Sequence, residues 1–113
     1  MFDPKIDRRH MHPPLSIALA QLNPHLGNVR GNLDRLVAAR VKAAENGAVM
    51  IVTPEMYLAG YPCDDLVLRS DFMDEVAAAI DELTALTKDG GPAIIVGAPH
   101  AEGGVIYNSV FAL

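Results

Sequence analysis

The sequence predicts an α/β fold with strands and helices in the order β-α-β-α-β-β. Three observations predict it. Short apolar runs near residues 15–22, 48–53 and 93–97 lack the polar alternation of a half-solvated strand. Two longer stretches between them carry apolar residues at helical spacing, and Gly, Asn or Pro marks nearly every changeover. Right-handed crossovers then make the first three strands parallel neighbours with helices packed on the sheet.

The elements follow in order. Met1–Pro14 reads as a flexible, polar leader with Pro4, Pro13 and Pro14 and no apolar stretch of a signal peptide. Its His10 and His12 have no third ligand nearby, so a solvated pair is expected rather than a metal site. Leu15–Leu22 is the first strand, and Asn23-Pro24 with Gly27-Asn28 the turn after it. From Asn32 the period becomes helical, with Leu33, Leu36, Val37, Val41 and Ala44 inward, and Asn46-Gly47 supplies a left-handed stop. Ala48–Thr53 is the second strand, apolar enough to be interior throughout. A Gly- and Pro-containing loop, Gly60-Tyr61-Pro62, leads to Asp64-Asp65 and a second amphipathic helix, about 71–87. Its inward set is Met73, Val76, Ala77, Ile80, Leu83 and Leu86, and Gly90-Gly91-Pro92 ends it. Ala93–Gly97 is the third strand; Val105–Leu113 is the fourth, after a Glu102-Gly103-Gly104 hairpin turn.

Bulk properties bound the function. At 113 residues the chain is one domain at most; half its residues are apolar and a fifth charged, with mean hydropathy +0.19. A net charge of −5, and no basic stripe, argue against a nucleic-acid partner. The longest apolar run falls far short of a membrane span. One cysteine, Cys63, rules out an internal disulfide and a zinc cluster, which fits a reducing cytoplasm.

The chemistry centres on Glu55. Pro54 cannot donate to a ladder, so strand pairing should end there and leave Glu55 at the C-terminal edge of the sheet. Ligand sites of open α/β folds sit at that edge. A carboxylate partly desolvated there would be raised in pKa and suited to general base work; the plainer reading is a solvated Glu at a strand end. Cys63 follows Tyr61-Pro62 in a loop instead of opening a helix after a strand, so a structural thiol is expected. Asp64 and Asp65 could ligate Mg²⁺, but acids ahead of an apolar Leu66-Val67-Leu68 read first as a helix start. Gly27-Asn28-Val29-Arg30-Gly31 lacks the order of a phosphate loop and reads as a turn. Tyr57 and Tyr61 flank the Glu55 loop as packing or pocket residues.

Taken together, the segments resemble the N-terminal part of the nitrilase (carbon-nitrogen hydrolase) superfamily. The matching residues are Ile17–Pro24, Gly27-Asn28, Asn32, Gly47-Ala48, Pro54-Glu55, Val96-Gly97-Ala98-Pro99 and Tyr107-Asn108-Ser109. The loop Leu58-Ala59-Gly60-Tyr61-Pro62-Cys63-Asp64-Asp65-Leu66-Val67-Leu68 is similar to that of the glutaminase domain in the glutamine-dependent NAD synthetase family. The resemblance implies a four-layer α-β-β-α sandwich, of which residues 15–113 would be an incomplete portion. It also implies a Glu-Lys-Cys triad acting on L-glutamine, in which Glu55 is the general base, with Tyr61 as a substrate-binding candidate. The triad lysine and cysteine would lie beyond Leu113. Lys42 and Lys88 fall on the wrong elements and Cys63 in the wrong loop. No cofactor or metal is expected for this segment; ATP and Mg²⁺ would belong to the synthetase domain on the same polypeptide, a homo-oligomer in its complete form. The chain stops at Phe111-Ala112-Leu113 inside an apolar strand, so it is expected to be a fragment, inactive alone. The competing readings are a fragment of a free-standing amidase or carbamoylase, and a non-catalytic half-domain.

Overall fold

A computed structural model of the protein describes residues 14–113. The leader other than Pro14, with His10 and His12, lies outside the described residues. Strand β1 is Ile17–Leu19, helix α1 Val29–Glu45, strand β2 Met50–Val52, helix α2 Ser70–Leu86, strand β3 Ala93–Glu102 and strand β4 Val105–Ala112. Short 3₁₀ turns at Asp64–Leu68 and Thr87–Asp89 flank α2. The sheet order is β1-β2-β3-β4, parallel across the first three strands and antiparallel between β3 and β4. This is the expected β-α-β-α-β-β order.

Two consecutive right-handed crossovers in one direction place both helices on the same face of the sheet. Ile51, Ile94, Val96 and Ala98 on that face form a single core with Val29, Leu33 and Leu36 of α1 and Phe72, Val76, Ala79, Ile80 and Leu83 of α2. Arg30 braces the two helices with a two-pronged pair to Glu82, at 3.0 and 2.8 Å.

The inward stripe of α1 follows the expected one at Leu33, Leu36 and Val37 and departs from it by one residue in the second half of the helix. Asn32, Leu33, Leu36, Arg40 and Ala43 are buried, whereas Val41 and Ala44 are exposed. The helix also starts earlier, at Val29, because the Asn28 side chain accepts the Gly31 amide at 3.0 Å as an N-cap. Arg40 can be buried because each of its three guanidinium nitrogens donates a hydrogen bond. Its Nη1 and Nη2 donate to the Asp89 carboxylate at 2.9 and 2.8 Å, and Nε donates to the Pro92 carbonyl at 2.7 Å. The Arg40 hydrogen bonds and the Gly91 amide hold the Asp89 carboxyl down to about 2. In α2, Ala77 is exposed, contrary to expectation, and Phe72 and Ala79 are buried instead. Alanine on both flanks of the stripe gives periodicity little to choose between.

The strands depart from expectation more instructively. β1 and β2 have only three residues each, and Val49, expected to be interior, is half exposed. Ile17 and Leu19 point away from the helices, and Leu19 is 70% exposed. Register aligns Leu19 with Val52, Ile95 and Ala112 across the sheet, and Gly97 with Val110, which is 69% exposed. The sheet face opposite the helices is thus a continuous apolar surface with nothing packed on it among the described residues. Uniformly apolar strands imply two covered faces, and here only one is covered. The β3–β4 hairpin turns on Gly103 and Gly104, both at positive φ, as a two-residue loop of the twist-compatible kind requires.

Candidate active site

Glu55 sits where Pro54 predicts, just past the last residue of β2, at the C-terminal edge of the parallel strands. The segment around it is fixed from β3. The Thr53 amide donates to the Ile95 carbonyl at 2.9 Å, the Gly97 amide to Thr53 Oγ1 at 3.1 Å, and the Leu58 amide to the Gly97 carbonyl at 3.2 Å. Gly97 admits this closeness because it has no side chain. A Cβ there would lie 2.6 Å from the Met56 nitrogen and 2.7 Å from the Pro54 oxygen, inside contact distance. Met56 itself takes a left-handed φ of 54°, a costly conformation for a non-glycine residue, immediately after the glutamate.

Beyond Met56 the chain turns inward. Tyr57, Leu58 and Ala59 are all fully buried. Tyr57 donates its hydroxyl to the Asn32 carbonyl at 2.7 Å, and burial pushes the phenol up from its ordinary pKa. Asn32, buried in the first turns of α1, uses its whole carboxamide. Its Nδ2 donates to the carbonyls of His25 and Leu58 at 2.9 and 3.1 Å, and its Oδ1 accepts the His25 amide at 2.8 Å. The Gly27 amide donates to the Ala59 carbonyl at 2.8 Å. The loop after β1 and the loop after β2 are therefore sewn together behind Glu55, and the Gly27, Asn28 and Gly31 amides are spent on this chain.

The Glu55 side chain is exposed, which corrects the expected desolvation: its face of the sheet is the uncovered one. Its polar partner is Asn108 of β4, whose Nδ2 donates to Glu55 Oε1 at 2.5 Å. Tyr61 is 70% exposed and has no side-chain hydrogen bond among the described residues, so Tyr57 is the packing residue of the two and Tyr61 the one open to a ligand. Cys63 is buried, and burial pushes its thiol up, the opposite of an activated thiolate. Asp64 and Asp65 are exposed at the start of the 3₁₀ turn, and no metal-binding cluster is present among the described residues. Lys42 closes α1 and Lys88 follows α2, so both lie toward the strands' N-terminal ends, across the sheet from Glu55.

Residues 16–113 match the family model described as carbon-nitrogen hydrolase. The chain belongs to the carbon-nitrogen hydrolase family. It is similar to the glutamine-dependent NAD(+) synthetase of Rhodobacter capsulatus, 38% identical over 97 residues, covering 86% of this chain and 17% of that protein. Among solved structures, the glutamine-dependent NAD+ synthetase of Acinetobacter baumannii superposes with a TM-score of 0.78 at 30% identity, covering 86% of this chain and 18% of that one. An amidase from Nesterenkonia sp. superposes at 0.68 with 32% identity, covering 79% of this chain and 34% of that one. The chain thus spans about a sixth of the length of the synthetases it matches. In this family's sandwich the described residues make one helical layer and one sheet.

Of the residues that hold this site, Asn32, Gly97 and Asn108 lie in the segments that carry the resemblance, but sequence reasoning gave them no role. Thr53 reads from the sequence only as a strand end. Their signal is residue type: a glycine inside an apolar strand calls for a close-contact reason, and an asparagine inside a helix or strand for a hydrogen-bonding one.

Proposed function

We propose that residues 15–113 are the opening part of a glutamine-hydrolysing domain of a glutamine-dependent NAD synthetase, and that Glu55 is its general base. One observation carries the reading: a carboxylate fixed by β3 at the ligand-binding edge of the sheet, its side chain on the face where a second layer of the sandwich would close a pocket. In this reading Glu55 takes the proton of a cysteine thiol supplied by the remainder of the domain. The thiolate attacks the glutamine side-chain carbonyl, a lysine stabilises the resulting oxyanion, and the C–N bond breaks as ammonia leaves with a proton. Glu55 then takes a proton from water, which cleaves the thioester to glutamate and frees the thiol. In this reading Tyr61, exposed in the loop that follows Glu55, contacts substrate. The ammonia would serve an ATP- and Mg²⁺-dependent ligase domain in a cytoplasmic homo-oligomer, and no helix among the described residues is long and apolar enough to cross a membrane.

The test joins residues 1–113 to the remainder of the Rhodobacter capsulatus protein in place of its own matching segment. The chimera should release ammonia from glutamine, and Glu55→Gln should lower turnover by about a hundredfold to ten-thousandfold without loss of folding. Near-normal turnover by that variant would overturn the assignment. The similarity to the Nesterenkonia amidase supports a second reading, a free-standing amidase segment. A preference for short aliphatic amides over glutamine, in a chimera made with that amidase and not in the synthetase one, would favour it.

A further inference from the structure

We propose that Asn108 is a positioning residue for Glu55, holding one carboxylate oxygen so that the other faces the reacting proton. The inference rests on the general-base reading above. Asn108 lies on β4, directly across from Pro99, while Glu55 follows β2, so the contact reaches from one strand to another two places along the sheet. An ionised carboxylate only accepts, so the Asn108 group facing it is the N–H₂ end, and the bond it donates is to a charged acceptor. A neutral amide suits this task. It donates without competing for the proton that Glu55 must take. Glu55 Oε2 has no hydrogen-bond partner among the described residues and is the oxygen left for chemistry. Asn108 is exposed and outside the apolar core, so its conspicuous contact is this one and not packing.

The experiment uses the active chimera. Asn108→Ala should lower kcat by roughly 10- to 100-fold, the range expected when a reacting group is misplaced by about an ångström, with KM changing less. Asn108→Gln should recover part of the loss in kcat, and Asn108→Asp, which sets two carboxylates together, should be worse than alanine. A purely structural role would lower folding stability in step with turnover, whereas urea unfolding of the Asn108→Ala chimera should match that of its parent. An Asn108→Ala chimera with unchanged kcat, or one whose loss of kcat follows a loss of stability, while Glu55→Gln is dead, overturns this inference alone. Turnover retained by Glu55→Gln overturns the general-base reading beneath it.

Discussion

The two faces of the sheet carry the same kind of side chain and meet opposite fates. On one, Ile51, Ile94 and Val96 are buried to 1% exposure or less under two helices. On the other, Leu19 and Val110 stand open to solvent beside Glu55. Composition alone does not separate these surfaces; connectivity does, since both crossovers wrap to one side. The difference teaches that packing and the polar Glu55–Asn108 contact are divided here between faces. The covered face holds the strands in place, and the open one presents a carboxylate to whatever closes over it.

The largest test of that division is the open face itself. Contiguous exposed apolar surface is an association site, so the purified 113-residue chain should self-associate and hydrolyse no glutamine. Burying about 400 Å² of such surface would contribute roughly 10 kcal/mol, comparable to the whole stability of a small domain. Sedimentation should show oligomers that the double substitution Leu19→Ser, Val110→Thr shifts toward monomer. A monomeric wild-type chain releasing ammonia from glutamine would break the comparison. On the covered face, Leu36→Ala or Leu83→Ala should cost about 2–5 kcal/mol in urea unfolding, because each leaves a cavity in a filled core. Leu19→Ser should cost almost nothing.

Between the faces, Gly97→Ala should cost about 1–3 kcal/mol, since the new methyl must push the Pro54–Met56 segment away. In the chimera it should also lower turnover by displacing Glu55, and normal activity with normal stability would show that the close approach is not needed. The Arg40–Asp89 pair gives a smaller effect, read through pH. The folded Asp89 carboxyl, at about 2, lies below its ordinary value of 3.8, so its stabilisation is present above about pH 4 and drains away as pH falls toward 2. Asp89→Asn should flatten the stability profile across that window. Smallest of all, Cys63→Ser should retain most turnover in the chimera. Loss of activity together with stoichiometric labelling of Cys63 by a glutamine-like electrophile would make it the nucleophile instead.

How much of this was legible in the sequence follows from the range of the forces involved. Glu55 at a strand exit could be read because Pro54 acts on its immediate neighbours. The end of α1 could be read from Asn46-Gly47, and Gly47 does take a positive φ. The stripe of α1 is legible at Leu33, Leu36 and Val37 but not in full, because two of its members, Asn32 and Arg40, are polar. Their burial is made possible by His25, Leu58, Asp89 and Pro92, none of them on the same helix. Strand composition revealed that the sheet is apolar on both sides, yet not that one side is bare, because the character of a residue reports what it needs and not what is present to meet it. The Asn108–Glu55 contact joins positions 53 residues apart, and no local pattern could have paired them.

The bonds at Gly97 also set an order of assembly. As a polypeptide leaves the ribosome, residues up to Glu55 emerge well before the strand that locates it. Until Gly97 has followed, the Thr53 hydroxyl lacks the amide it accepts and Leu58 the carbonyl it binds. The nascent chain therefore carries Glu55 unplaced for about forty further residues, at the several-per-second pace of synthesis. Asn108 arrives later still. The Glu55 carboxylate is held only when the hairpin returns along β3.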